Sequence, residues 1–181
     1  VSCPTAQQPS GTTLALSYSV GTEPAIGGGF TPAGLLLSEI DAKGAATTYR
    51  YDSAGNLRKM TDRAALVTDY TYDELGRRLT TTVVSDTFPA GVVTMAGYDA
   101  LGNIVRETGP PVANTVTGVV RRSETVTVFD PAGNVSTVTV SDTGGSASPD
   151  AARVTSYVYD RADRLVSTTD ADGGVATQVY D

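Results

Sequence analysis

The sequence predicts an all-β fold, a repetitive antiparallel meander of β-hairpins in a sheet that is curved rather than flat. The first observation is a repeated phrase: Tyr-Asp, two variable residues, Gly, Asn or Arg, then an aliphatic residue. The second is a two-residue alternation of side chains before each copy. The third is composition, since Thr, Val, Tyr, Gly and Asp are abundant while Trp and His are absent. Such a mixture favours strands and tight turns over helices.

The phrase decides the architecture because it recurs at regular intervals, which is typical of stacked repeats. Five copies and the start of a sixth begin at Tyr51, Tyr72, Tyr98, Phe129, Tyr159 and Tyr180. The Asp positions are Asp52, Asp73, Asp99, Asp130, Asp160 and Asp181. The Gly positions are Gly55, Gly76, Gly102 and Gly133, and Asp163 takes this place in the fifth copy.

Each copy has a physical logic as a turn between two strands. Period two places both tyrosines of a pair such as Tyr49 and Tyr51 on one face of a strand. The Asp carboxylate is expected to accept backbone amides two or three residues on, and Gly supplies the positive φ of a type I turn followed by a bulge. The equivalent positions of the next strand are expected to share one buried face; they are Leu57, Leu79, Ile104, Val135 and Leu165.

A second turn closes many units, as in Asp41-Ala42-Lys43-Gly44 and Asp170-Ala171-Asp172-Gly173. Thr61-Asp62-Arg63-Ala64-Ala65 holds the same place but ends in Ala. The intervals between copies are 21, 26, 31, 30 and 21 residues, and the shortest fits two strands and two turns. Longer intervals are interpreted as loops inserted at one place in the unit. The predicted insertions are residues 85–91, 109–114 and 142–150.

The predicted organisation is a degenerate amino-terminal repeat or linker over residues 1–37, and a repeat array of about five units, truncated at the sixth, over 38–181. Residues 14–20 alternate as in a degenerate strand, with Tyr18 lying 33 residues before Tyr51, and Gly27-Gly28-Gly29 is predicted to be flexible. The chain is interpreted as a segment of a longer protein.

Charge and cysteine content exclude several classes of partner. The net charge of −7 over 181 residues argues against nucleic acid and anionic membranes. Cys3 is the only cysteine, so no intrachain disulfide forms, which leaves the compartment open. No apolar stretch approaches the roughly 20 residues needed to span a bilayer.

The residues that could be catalytic or metal-binding are better explained by structural roles. The recurring aspartates predict turn capping rather than catalysis; His is absent, which excludes His-dependent triads; and Cys3 has no His partner. The run beginning at Asp170 hints at a calcium loop, but Gly174 and Val175 fall where a ligand and a glycine are needed. We therefore expect no catalytic residue, cofactor or metal. The tyrosines predict a stacked aromatic ladder, with a sugar-stacking platform as the alternative.

The repeated phrase at a minimum spacing of 21 residues resembles the YD-repeat, also called the RHS repeat, over about residues 38–181. That family includes bacterial Rhs polymorphic toxins, the shell of insecticidal Tc toxin complexes and the animal teneurins. The resemblance implies a β-sheet ribbon spiralling into a hollow shell around a carboxy-terminal toxin or effector. Asp130-Pro131-Ala132-Gly133 is similar to the family's self-cleavage motif, but it lies inside an ordinary repeat, where turn formation is the better reading.

Two functions follow as hypotheses. In the first, the segment is a structural part of a shell in a secreted or cell-surface bacterial protein, with the flanking repeats and an enclosed effector as its partners. In the second, it is a cell-surface adhesion module that binds carbohydrate or a partner protein. Neither makes the segment an enzyme. Because hairpins stabilise one another by stacking, an isolated fragment with an open sheet edge is expected to be marginally stable or self-associating.

Overall fold

The regular structure of this protein is made of strands. The computed structural model describes residues 6–7, 13–144 and 150–181, and all of its regular elements in those residues are β-strands. They fall into two compact units, Val1–Val92 and Val93–Asp181. Every strand pair described within a unit is antiparallel and joins chain neighbours. The predicted fold class, an all-β repetitive hairpin meander, is confirmed. In the described residues, no helix has the length and apolarity to cross a membrane.

The first unit is a meander of short strands. They are β1 Ala6–Gln7, β2 Thr13–Tyr18, β3 Leu36–Ile40, β4 Ala46–Tyr51, β5 Leu57–Thr61, β6 Val67–Tyr72 and β7 Arg78–Val84. Each Tyr-Asp phrase lies between two strands, and the second turns connect β3 to β4 and β5 to β6. Because alternate turns of a meander lie at the same sheet edge, this unit has one edge of Tyr-Asp turns and one of second turns.

The second unit repeats the scheme with longer central strands. They are β8 Val92–Tyr98, which begins at the unit boundary, β9 Ile104–Ala113, β10 Val120–Phe129, β11 Val135–Thr143, β12 Arg153–Tyr159, β13 Leu165–Thr169 and β14 Val175–Thr177. The Tyr-Asp phrases again connect alternate strand pairs, β8 to β9, β10 to β11 and β12 to β13.

Alternation along the strands gives each sheet two different faces. On β4, Thr47, Tyr49 and Tyr51 share the better covered face, and Thr47 is only 7% exposed. Thr48 and Arg50 point the other way and are exposed. The register shifts where the first residue of each complete phrase pairs. Arg50 pairs with Lys59 and Tyr51 with Leu57, so the extra residue of the β-bulge, Arg58, lies on the strand that follows the turn.

The sheets have very little buried core. In the part of the chain that the structure describes, no large side chain is fully buried, and Ala25, at 9% exposure, is the buried apolar residue. The stability of each unit therefore comes from backbone ladders, turn hydrogen bonds and cross-strand side-chain contacts.

Two predicted loops are partly strand. Residues 109–113 belong to β9, and Asp142 and Thr143 belong to β11. Pro110 and Pro111 have no N–H to give to a ladder, and a register shift falls opposite them, between Arg122 and Glu124. The Arg122 guanidinium donates to the carbonyl of Val93 (3.0 Å) and to that of Gly109 (3.3 Å), which ties β8, β9 and β10 together there. The remaining insertions are loops at second turns, although residues 145–149 lie outside the described residues.

The predicted set of equivalent aliphatic positions needs correction in two places. Tyr51 pairs with Leu57 and Tyr72 pairs with Arg78, so Arg78 and not Leu79 has the equivalent register. Ile104 is 41% exposed, so the positions do not share a uniformly buried face. The physical reason is that the sheet has little core at this place, since no large side chain in the described residues is fully buried.

The second turn of β5–β6 contains a strained residue. Ala65 has a φ of +62°, in the left-handed region that disfavours side chains, whereas Gly44 has φ +82° at the same position of the preceding second turn. Replacing Ala65 with Gly is expected to raise the free energy of unfolding by about 0.5–1 kcal/mol. Urea denaturation measures the change. In the matched reverse variant, Gly44→Ala, the free energy of unfolding is expected to fall by about 1 kcal/mol. Equal stabilisation by both substitutions, or equal destabilisation by both, would contradict this account.

Candidate functional site

The Tyr-Asp turns are the recurring constellation of this chain, and Asp52 shows their geometry. Its Oδ1 accepts the amide of Ala54 at 3.0 Å and that of Asn56 at 2.9 Å. Its own amide donates to the carbonyl of Asn56, and the Gly55 amide donates back to the Asp52 carbonyl at 3.1 Å. Gly55 has φ +90°. One carboxylate oxygen therefore holds a type I turn and the bulge that follows it.

The same pattern recurs at every complete copy. The carboxylate Oδ1 accepts amides two and four residues on, rather than two or three as predicted, at Asp73, Asp99, Asp130 and Asp160. The Gly positions have positive φ at Gly76, Gly102 and Gly133. Asp163 adopts φ +58°, the conformation predicted for it. Asp181, the Asp of the sixth phrase, is exposed and follows β14.

The Asn or Arg after the Gly position has a role that sequence reasoning missed. Its side chain bonds the second carboxylate oxygen, Oδ2, of the same turn. Asn56 and Asn103 do so through Nδ2, at 3.1 and 2.9 Å. Arg77 and Arg164 use Nε, at 2.7 and 2.8 Å. The signal was present in the sequence, since this position holds Asn or Arg in all five copies and both side chains carry N–H donors.

Hydrogen bonds to a carboxylate favour its charged form, and they lower the pKa of five of the turn aspartates. The backbone amide four residues on is the main cause of the lowered pKa at Asp41, Asp73, Asp130 and Asp160. At Asp99 the main cause of the lowered pKa is the side-chain amide of Asn103.

The phrase tyrosines connect neighbouring hairpins. The hydroxyls of Tyr51, Tyr72 and Tyr180 donate to the carbonyls of Leu36, Leu57 and Leu165, each at 2.8 Å and each fifteen residues earlier. Partial burial raises the pKa of Tyr51 and of Tyr72. Phe129 has no hydroxyl for such a bond, and it pairs with Val135 across the turn. The phrase thus fixes a turn with its Asp and ties it to the preceding repeat with its Tyr.

The predicted ladder of stacked tyrosines is wrong. In register Tyr49 faces Met60, Tyr70 faces Thr81, and Tyr157 faces Thr168. One repeat contributes two strands, so the tyrosines recur on every second strand and are not direct neighbours. Arginines lie against two of the rings instead, Arg78 over Tyr70 at 5.8 Å and Arg164 over Tyr180 at 4.6 Å.

The second turns follow the same bonding pattern as the Tyr-Asp turns. Oδ1 of Asp41, Asp62 and Asp170 accepts amides two and four residues on. The run beginning at Asp170, which hinted at a calcium loop, is thus built as a turn. Among the described residues there is no group of three or more metal-ligating side chains. Cys3 lies outside the described residues.

The turn residues form a hydrogen-bonded scaffold at each described turn. The first aspartate of each described turn accepts fixed turn amides. The open groove between the Asp62 turn and the loop around Asp86, of about 710 Å³, is lined mainly by Ala, Val, Ser and Thr side chains. The groove residues include no Cys and no Lys or Arg. The candidate functional feature is therefore the repeated turn itself, which fixes strand register along the sheet.

The comparisons with known proteins agree with this geometry. The family model "RHS Repeat" matches residues 30–65, 51–87 and 149–175. No curated protein matches the sequence.

Solved structures share the fold at low sequence identity. The crystal structure of TcdB2-TccC3-Cdc42 aligns with a TM-score of 0.58 and 13% identity, over 93% of this chain and 10% of that chain. A Tc holotoxin pore from Photorhabdus luminescens aligns with a TM-score of 0.62 and 14% identity, over 92% of this chain and 8% of that chain. The protein thus spans a tenth or less of these chains. Residues 30–87 and 149–175 therefore resemble the RHS, or YD, repeat, and the chain shares its fold with Tc toxin chains.

Proposed function

We propose that this chain is a wall segment of a β-shell that encloses a carboxy-terminal toxin or effector of the same protein, in a secreted or contact-delivered bacterial protein. The observation that carries the proposal is the repeated Tyr-Asp turn, because within each unit it extends a sheet hairpin by hairpin without building a compact core. Each copy adds two strands with the same register.

The absence of a thick core in the described sheets supports the assignment of this segment as part of a shell wall. Side chains on both faces keep solvent access, and exposed apolar residues occur on strands of both units, among them Met95, Val128, Val158 and Val175. A sheet of this kind presents two extended surfaces, and one of them can face an enclosed polypeptide while the other faces solvent. The fold shared with Tc toxin chains supports the same assignment.

The bonding of the turn residues supports a structural rather than an enzymatic role for this segment. Its aspartates are engaged by amides and by Asn or Arg side chains. A general acid or base must instead be within reach of a substrate proton. The expected partners are therefore the neighbouring repeats and the enclosed effector.

Adhesion receives less support from the tyrosines. A sugar-binding platform needs exposed, parallel aromatic faces, whereas Tyr49, Tyr51, Tyr70 and Tyr72 are half-buried. The hydroxyls of two of them, Tyr51 and Tyr72, donate hydrogen bonds to backbone carbonyls. Glycan binding is therefore the alternative outcome of the proteolysis experiment described next.

Limited proteolysis of the full-length parent protein tests containment. We expect a carboxy-terminal fragment to resist protease and to copurify with the repeat region under native conditions. The same fragment should become digestible at the denaturant concentration that unfolds the repeats, which is the control for intrinsic resistance. Free digestion of the downstream region in the native protein would contradict containment. Retention of that native protein on immobilised glycans, with no protected fragment, would favour adhesion instead.

A further inference from the structure

The first hairpin of the protein pairs as the Tyr-Asp hairpins do. Between β2 and β3, Tyr18 pairs with Leu36 after a register shift that follows Ser17. Between β4 and β5, Tyr51 pairs with Leu57 after the same kind of shift. Tyr18 and Leu36 thus occupy the first and last positions of the phrase, although many more residues separate them in the sequence.

The turn bonds correspond as well. Ser19 donates its amide to the Leu35 carbonyl and accepts the Gly34 amide on its own carbonyl, both at 2.8 Å. Its Oγ accepts the Leu35 amide at 2.9 Å, as Asp52 Oδ1 accepts the Asn56 amide. Gly34 has φ +89°. Ser19 therefore replaces the Asp of the phrase, and Gly34 is its Gly.

The residues between them, 20–33, form a folded insertion. The Glu23 carboxylate accepts the amides of Val20 and Gly21 at 3.0–3.1 Å, which closes the start of the insertion. The rest is a small hairpin: the Thr31 amide donates to the Glu23 carbonyl at 2.8 Å, and the Ala25 amide donates to the Gly29 carbonyl at 3.1 Å. The predicted flexible glycines lie at the tip of this hairpin, each with positive φ.

The hairpin lies against the next Tyr-Asp turn. The Ile26 amide donates to the Tyr51 carbonyl at 2.8 Å. A Cβ built on Gly29 would lie 3.2 Å from the Ser53 Cβ, so the backbone of the insertion touches that turn. The base of the insertion holds the most buried side chains of this unit, Thr31 at 2% exposure and Ser19 at 4%.

We propose that residues 20–33, here called the strap, are an insertion into a Tyr-Asp-type turn that fastens the first repeat onto the turn of the second. The strap adds a backbone bond between the two turns at this end, beside the bond from the Tyr51 hydroxyl to the Leu36 carbonyl. It closes over the carbonyl of Tyr51 and the residues of the Asp52 turn, so that turn opens only when the strap is released. The first repeat then includes β2 and β3, and the strap lies between these two strands.

Hydrogen exchange in the full 181-residue chain tests the strap. In one variant Val20–Ala33 is replaced by Ser-Ala, which restores the length of the Tyr51–Leu57 turn. In a second, Ile26→Pro removes the N–H that reaches Tyr51 and also restricts the backbone at residues 25 and 26. Ile26→Ala, which removes the side chain but keeps that N–H, is its matched control. The amides of Ala54 and Asn56 report on the strapped turn, and those of Leu75 and Arg77 report on the unstrapped turn of the following repeat.

The expected result is at least about tenfold faster exchange at Ala54 and Asn56 in the replacement and in Ile26→Pro, since local opening governs exchange there. Leu75 and Arg77 should be unchanged, and Ile26→Ala should behave as the parent. Unchanged exchange at Ala54 and Asn56 in Ile26→Pro would overturn the proposal even if the replacement variant does not fold. Equal acceleration at both turns would overturn it too, because it would show global loosening.

Discussion

Replacing Asp52 with alanine is expected to lower the free energy of unfolding by about 2 kcal/mol, a large effect for one polar residue in an open sheet. The carboxylate accepts hydrogen bonds from two backbone amides through Oδ1 and from the side-chain amide of Asn56 through Oδ2. Its side chain is only 14% exposed, so the amides released by the substitution cannot all be hydrated within the turn. Urea denaturation followed by circular dichroism measures the loss.

Asn in place of Asp52 separates turn capping from charge. Asparagine keeps an Oδ1 acceptor for the two amides but loses the charge and the acceptor for Asn56, so Asp52→Asn is expected to lose about 1 kcal/mol or less. If Asp52→Asn and Asp52→Ala lower the free energy of unfolding equally, the source of stability would be the charge of Asp52, which lies 3.8 Å from Arg58. If neither lowers the denaturation midpoint, the turn does not depend on its aspartate.

The sequence was sufficient for the fold because its signals are local. Alternation before Tyr51 and the Asp-x-x-Gly spacing each specify a strand or a turn within a few residues, and repetition fixed the order of the hairpins. The conformation of Asp163 was predictable for the same reason, since Asp tolerates positive φ. The second turn at Asp62 was recognised although it ends in Ala65.

Features that depend on register or on distant contacts were not predictable. Residues 109–113 looked like a loop because of Pro110 and Pro111, and only the bond from Arg122 to the Gly109 carbonyl shows how a strand accommodates them. The tyrosine ladder failed because the alternation within one strand does not reveal what lies opposite on the next.

The first turn was hidden for a different reason. Its phrase is split by the strap, and Ser19 replaces the Asp, so Tyr18 and Leu36 share no short motif in the sequence. The number of residues between Tyr18 and Tyr51 was noticed, but only the pairing of Tyr18 with Leu36 shows that the excess lies inside the turn. An insertion within a motif removes the spacing by which the motif is recognised.

Acid is expected to destabilise the whole array within a narrow range of pH. Turn amides and side chains lower the pKa of Asp41, Asp73, Asp99, Asp130 and Asp160 in the folded chain. A carboxyl whose pKa is lower folded than unfolded adds stability above its unfolded value, about 3.9. That stability is lost as pH falls through the lowered pKa. The thermal midpoint should therefore be nearly constant from pH 7 to about 5 and fall steeply below about 4.

A variant that cannot titrate at four turns distinguishes this cause from general charge repulsion. Asparagine at positions 73, 99, 130 and 160 keeps an acceptor for the turn amides at every pH, so this variant should start less stable at pH 7 and show a shallower acid limb. Added salt screens repulsion among the cations that remain in acid, but it has little effect on short hydrogen bonds within a turn. An acid limb equally steep in the variant and abolished by salt would mean that net charge, and not the turns, causes the loss.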